Sequence, residues 1–160
     1  MSVLSWNCRG LGHPRTVQVL IDLVKCKKPA IIFLMETLCG KDKLESIKRK
    51  LGFDGLFVVD RVGHSGGLAL LWDANTNVSL LSYARNFIDV HVVVAGLGDW
   101  RLTGFYGFPE SSRRRRRQSW DLLRFLSSSS TAPWVCLGDF NDLLAASEKK
   151  GRLEHPQWKL

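Results

Sequence analysis
Two hydrophobic patterns alternate at the start of the chain. Val3 to Trp6 is a short apolar segment, and after Pro14 the apolar positions Val17, Leu20, Ile21 and Val24 recur at the spacing of one helix face. Proline fits the first turn of that helix, and Lys25, Lys27 and Lys28 suit its C-terminal end. Ala30 to Met35 is apolar without interruption and stops at Glu36, as expected of a strand buried on both faces. Lys43 to Leu51 predicts a short helix, stopped by Gly52. The opening therefore reads β-α-β-α.

Beyond that point the pattern becomes one of strands in succession. Leu56 to Asp60, Gly67 to Trp72, Val78 to Tyr83, Val90 to Ala95 and Trp100 to Tyr106 are separated by Gly-rich or Asn/Asp-rich turns, which predicts antiparallel neighbours. A helix at about Gln118 to Leu126 precedes a last strand, Trp134 to Leu137, and then Gly138-Asp139-Phe140-Asn141. No repeat interrupts this order, so residues 1–160 read as one domain. A mixed sheet with helices outside, arranged as two sheets packed face to face, accommodates the elements.

Composition adds limits. The chain has 160 residues, 45% hydrophobic and 24% charged, the balance of a globular protein with a sizeable core. Its longest apolar run is far short of the roughly 20 residues of a membrane-spanning helix, and its first residues lack an apolar signal core. The expectation is an intracellular protein with no membrane partner and no obligate protein partner, nuclear if it acts on chromosomal DNA. Cys8, Cys26, Cys39 and Cys136 lack metal-knuckle spacing and read as reduced thiols.

The net charge is +8, and Arg113, Arg114, Arg115, Arg116 and Arg117 form a single run of five cations. The basicity is local, and it suggests an anionic partner such as nucleic acid. Cations at a helix N-terminus oppose the macrodipole by about 0.3 to 1 kcal/mol each, so the run reads as loop rather than helix. It is a solvated charge run, a nuclear-import signal or a phosphate-contacting patch. As a patch it would neutralise about five phosphates and give a log-log salt slope near −4 on duplex DNA.

Three apolar strands end abruptly in polar residues: Asn7 after the first, Glu36 after the second, and Asp139 with Asn141 after the last. In α/β sheets ligands bind beyond the carboxyl ends of strands, so these side chains can share one site. Two carboxylates and two amides suit a hard, oxygen-ligated cation, and a carboxylate that binds no metal can orient an attacking water. Taken singly, each is equally a turn or cap residue.

Trp6-Asn7-Cys8-Arg9-Gly10-Leu11-Gly12, Leu34-Met35-Glu36-Thr37, Gly66-Gly67-Leu68-Ala69, Thr103-Gly104-Phe105-Tyr106-Gly107 and Leu137-Gly138-Asp139-Phe140-Asn141 follow one another in an order that resembles the endonuclease/exonuclease/phosphatase superfamily. The resemblance runs from Ser2 to about Gly151 and is nearest to the endonuclease domains of plant non-LTR retrotransposons. It implies a four-layered α/β sandwich with two packed mixed β-sheets and outer helices, and a magnesium-dependent phosphodiesterase, manganese being the alternative metal. Carried over residue by residue, Glu36 holds the metal and Asn7 helps place metal or phosphate. Asp139 orients and deprotonates the attacking water, Asn141 holds a phosphate oxygen, and Tyr106 donates to the phosphate. Arg9 and the arginine run would contact nucleic acid, DNA above all. These residue types are those phosphoryl transfer requires.

The departures from the family pattern are specific. Arg9 stands where apurinic/apyrimidinic endonucleases carry an acidic metal ligand, and Pro109 stands where an Asn commonly follows the Tyr motif. The family's terminal Asp-His pair is absent from this sequence, which ends at Leu160. The resemblance therefore implies a domain incomplete at its C-terminus, with little or no phosphodiesterase activity and poor solubility or low thermal stability. The competing expectation is a catalytically inert, nucleic-acid-binding remnant of a retrotransposon-derived gene. Gly63-His64-Ser65-Gly66-Gly67 fits the pattern of a serine-hydrolase elbow, but the Asp73-Ala74-Asn75 turn soon after it predicts a glycine-rich hairpin instead. The four histidines lack metal-ligand spacing and read as structural.

Overall fold
The computed structural model describes residues 1–63, 66–108 and 113–142, Arg113 by its backbone only. The chain divides into two compact units: residues 1–106 with 132–139, and residues 107–131 with the segment that begins at Phe140. In the first unit lie β1 (Val3–Asn7), α1 (Pro14–Lys27), β2 (Ile31–Met35), α2 (Lys41–Leu51), β3 (Gly55–Val59), β4 (Leu68–Trp72), β5 (Thr76–Ala84), β6 (Phe87–Val94), β7 (Gly98–Tyr106) and β8 (Trp134–Asp139). The second unit carries α3 (Arg113–Ser128).

Alternation along β2 builds the first unit. Ile32 and Leu34 face α1 and α2 and meet Leu20, Leu44 and Ile47, while Ile31, Phe33 and Met35 face the second sheet and meet Ile88, Val90 and Leu102. All five β2 residues are buried, as the unbroken apolar run predicts. The first sheet has the order β1-β2-β4-β3, parallel between β1 and β2 and antiparallel elsewhere. The second has the order β5-β6-β7-β8, and only β7 and β8 are parallel. Two packed mixed sheets with helices form the α/β sandwich that the pattern predicts. Close approach of the sheets explains Gly104: a Cβ there would lie 2.4 Å from the Phe33 ring.

Two expectations are corrected. The strands from Leu56 to Tyr106 are not all antiparallel neighbours, because β4 and β5 belong to different sheets. Both edges of β4 are filled by β2 and β3, and Asp73 turns the chain away. Its carboxylate accepts from Asn75 N at 3.1 Å and from the Thr76 hydroxyl at 2.7 Å. The arginine run is helix rather than loop, since α3 begins at Arg113. Arginine is nearly as good a helix former as alanine, which offsets the unfavourable dipole. Contacts within the second unit help: Arg116 pairs with Asp142 at 3.7 Å, and Arg115 lies 5.6 Å from the Phe108 ring. No described helix is long and apolar enough to cross a membrane.

Candidate active site
Parallel pairing delivers four polar side chains to strand ends pointing the same way. Asn7 is the last residue of β1, paired with Met35 at the end of β2, and Glu36 follows directly. In the second sheet Tyr106 and Asp139, the last residues of β7 and β8, are register partners. The Asn7 amide bridges the two sheets: Nδ2 donates to Glu36 Oε1 at 3.0 Å and to Asp139 Oδ2 at 3.1 Å. The Tyr106 hydroxyl donates to the same Glu36 oxygen at 2.5 Å. Asp139 is steadied through its own N–H, which donates to Met35 Sδ at 3.2 Å. Nothing in the sequence marked Met35 for that task; only its register position at the end of β2 could have shown it.

The loops beyond the strands are held by backbone bonds rather than by the side chains they present. Cys8 N donates to Met35 O, Gly10 N to Glu36 O and Leu11 N to Thr37 O, so the β1–β2 pairing continues past the formal strand ends. Thr37 N and Leu38 N donate to Gly67 O and Gly66 O, which ties in the hairpin before β4. This tie demands unusual backbone. Arg9, Glu36 and Leu38 have φ of 47°, 53° and 52°, a left-handed conformation that disfavours non-glycine residues by about 1 kcal/mol or more. Such strain persists where surrounding structure holds it, and here it presents the Glu36 carboxylate.

Both hydrogens of the Asn7 amide go to carboxylates, while its Oδ1 accepts from Arg9 N at 3.3 Å. The two acid partners fix the amide orientation. Asn7 therefore spaces two anions, and Glu36 has no ion-pair partner among the described residues. Two carboxylates held close together by one amide, Glu36 among them without an ion-pair partner among the described residues, fit a hard divalent ion. No group of three His, Cys, Asp or Glu that could hold a metal exists among the described residues, so such an ion would keep most of its ligands as water or substrate oxygen, the habit of magnesium. Beneath the site Cys8 donates its S–H to Met35 O at 3.1 Å, and burial pushes its thiol up to about 11. It is a neutral filler at physiological pH, not a nucleophile.

Asn141 lies in the second unit, with φ of 51° and its Nδ2 donating to Gly107 O at 2.7 Å. Near it in that unit, Trp120 donates to Asp142 at 2.9 Å and stacks on Phe140. Within the arginine run, Arg114 and Arg117 are exposed, whereas Arg115 and Arg116 are half-buried and engaged with Phe108 and Asp142. Arg9 is exposed on the loop after β1. His64, Ser65 and Pro109 lie outside the described residues. The flanking strands β3 and β4 are antiparallel partners, and β4 runs into the Asp73 turn rather than into a helix. His91 pairs with Asp99 at 3.0 Å on the outer part of β6, a structural contact.

A model of the endonuclease/exonuclease/phosphatase family matches residues 4–159. No curated protein sequence matches the chain at a significant level. Among solved structures, zebrafish (D. rerio) TDP2 complexed with single-strand DNA product is similar over 91% of this chain and 62% of that one, at 19% identity and TM-score 0.67. The human Nocturnin catalytic domain with bound sulfate is similar over 88% and 64%, at 16% identity and TM-score 0.65. A Bacteroides thetaiotaomicron mannosyl-6-phosphatase is similar over 91% and 67%, at 15% identity and TM-score 0.68. At these identities the likeness establishes the fold. The chain spans less than two thirds of the length of the TDP2 and Nocturnin structures.

Proposed function
The chain belongs to the endonuclease/exonuclease/phosphatase family, and on that premise we propose that it hydrolyses phosphodiester bonds of nucleic acid, DNA above all, with Glu36, Asp139, Asn7 and Tyr106 as its working groups. The observation that carries the reading is the Asn7 amide bonded to two carboxylates from different sheets, with the Tyr106 hydroxyl on one of them. This is a small polar constellation at strand ends, with strained backbone beneath it. The retrotransposon-like motif set and the basic arginine run favour a polymeric substrate over a small phosphoester.

Glu36, with Asn7 helping to place it, would hold magnesium or manganese, which would supply charge neutralisation for a phosphoryl group. Asp139 accepts hydrogen bonds and is suited to orient a water and take its proton. Tyr106 donates to Glu36 now, and the same O–H can turn to a non-bridging phosphate oxygen as negative charge builds there. Asn7 keeps the carboxylates apart and aligned, and Asn141 is assigned the phosphate contact that the resemblance implies.

The test combines cleavage of supercoiled plasmid with a binding readout that needs no turnover. Wild type is expected to cleave with magnesium or manganese, and Asp139→Ala or Glu36→Ala to lose at least a hundredfold in rate. The metal should also raise the melting temperature of wild type but not of Glu36→Ala. Cleavage untouched by both substitutions, or a metal-induced stabilisation identical in wild type and Glu36→Ala, would overturn the assignment.

A further inference from the structure
The segments that surround Glu36 carry exposed cations. Arg9 lies on the loop after β1, Lys43 in the first turn of α2 and Arg61 just after β3, and all three are exposed. None forms an ion pair with a carboxylate among the described residues. Other charges on these segments are Lys41, Asp42 and Asp60, so cations outnumber carboxylates two to one outside Glu36 itself.

Their placement is fixed by the same interlocking backbone that presents Glu36. Gly10 N donates to Glu36 O at 2.8 Å, and a Cβ on Gly10 would lie 3.4 Å from Leu38 Cδ1, so the Arg9 loop packs on the Glu36 loop. A Cβ on Gly67 would lie 3.4 Å from Leu38 N and 3.7 Å from Arg61 Cβ, which roots Arg61 against the other side of that loop. Lys43 and Arg61 both act on the Cys39 thiol, three residues beyond Glu36, lowering its pKa against the rise caused by burial. Two loops and the first turn of α2 thus place positive charge around one carboxylate. Unpaired like charges repel one another and add nothing to the fold, so their use is toward an anion brought from outside.

We propose that Arg9, Lys43 and Arg61 form a phosphate-binding rim that holds the backbone of a nucleic-acid strand next to the scissile phosphate, so that the site prefers a polymer to an isolated phosphomonoester. The inference rests on the hydrolytic reading only for the identity of the scissile group. Two guanidinium forks and one ammonium bind phosphate oxygens and set register along the strand without reading bases. The rim belongs to the first unit and is distinct from the arginine run of α3.

The experiment is fluorescence anisotropy of a labelled single-stranded oligonucleotide in EDTA, where no hydrolysis is needed. The proteins are wild type, Lys43→Gln/Arg61→Gln, the triple variant that adds Arg9→Gln, and Arg61→Lys, each checked for an unchanged melting curve. Loss of three phosphate contacts should flatten the log-log salt slope by about 2 and weaken binding at least tenfold in low salt. The double variant should fall between, and Arg61→Lys should keep the wild-type salt slope. A triple variant with unchanged affinity and slope would overturn the rim, as would polyglutamate displacing the strand as well as an unlabelled oligonucleotide does. A flattened slope in a chain whose plasmid cleavage ignores Asp139→Ala would keep the rim and remove the hydrolytic reading; the reverse pair of results removes the rim alone.

Discussion

In the first sheet, β2 gives only apolar side chains to both of its faces, whereas in the second sheet β6 and β7 bury an aspartate and an arginine. Asp89 is 1% exposed and Arg101 3%. Arg101 Nε donates to Asp89 Oδ1 at 2.9 Å and Nη2 to Oδ2 at 2.8 Å, a two-pronged pair. Thr103 donates to Asp89 at 2.7 Å and accepts from Trp134 Nε1 at 2.8 Å, while the guanidinium lies 5.6 Å from the Trp134 ring. One sheet is held by apolar contact that tolerates small readjustment, the other by a polar network that fails as a unit. The difference bears on the site, because Trp134 opens β8 and Asp139 closes it.

The comparison breaks most readily at Asp89. Asp89→Ala strands a buried guanidinium and should cost about 3 to 5 kcal/mol in urea unfolding, while Asp89→Leu/Arg101→Met should cost far less. A single substitution under about 1 kcal/mol would show that the network is a bystander. In the first sheet Leu34→Ala should cost about 3 kcal/mol by lost burial and cavity formation, with no double variant able to restore it without refilling the volume. Trp134→Phe sharpens the contrast at about 1 kcal/mol, the worth of one hydrogen bond, and should reduce metal-dependent cleavage more than stability. If cleavage and stability fall together, β8 is not specifically anchored through Trp134.

The smallest effect separates the sheets by pH. Burial pushes Cys8, against the first sheet, up to about 11, and Cys136, in β8, up to about 12, where the Asp89 charge adds to burial and Arg101 opposes it. Both folded values exceed the ordinary 9.0, so above pH 9 the unfolded chain releases protons that the native chain keeps. Stability from both thiols is therefore full below pH 9 and declines as pH rises towards 11 and 12. Asp89→Asn should steepen neither limb at Cys8 but shift the Cys136 limb to lower pH. At pH 8 an alkylating reagent should label exposed Cys26 first and leave Cys8 and Cys136 untouched until unfolding, which mass spectrometry can follow.

Much of the site was legible because strand ends are legible. The apolar runs before Asn7, Glu36 and Asp139 stop at a polar residue, and parallel pairing puts such stops on one edge. The β2 core was equally plain, since no other element explains five buried residues in succession. Asp89 and Arg101 escaped notice because each sits among other polar residues of its strand, His91 in β6 and Asp99 and Thr103 in β7, and only β6–β7 register brings them together. The helical start of the arginine run escaped because Asp142 and Phe108, which engage it, are distant in sequence or outside the helix. The same engagement changes the salt expectation for α3. With Arg115 and Arg116 committed, a slope near −4 from five phosphates gives way to a shallower one led by Arg114 and Arg117.

The pairing of Asn7 with Asp139 spans 132 positions of sequence. During synthesis β1, β2, β3 and β4 emerge and can form their sheet while Asp139 has yet to be made, and β8 must then add in parallel beside β7, the slow kind of strand addition. Assembly of the two-carboxylate centre thus follows formation of the first sheet rather than preceding it. A nascent chain carries its glutamate, its tyrosine and its cationic segments past the ribosome's own RNA without the second acid, and acquires that acid only when β8 docks.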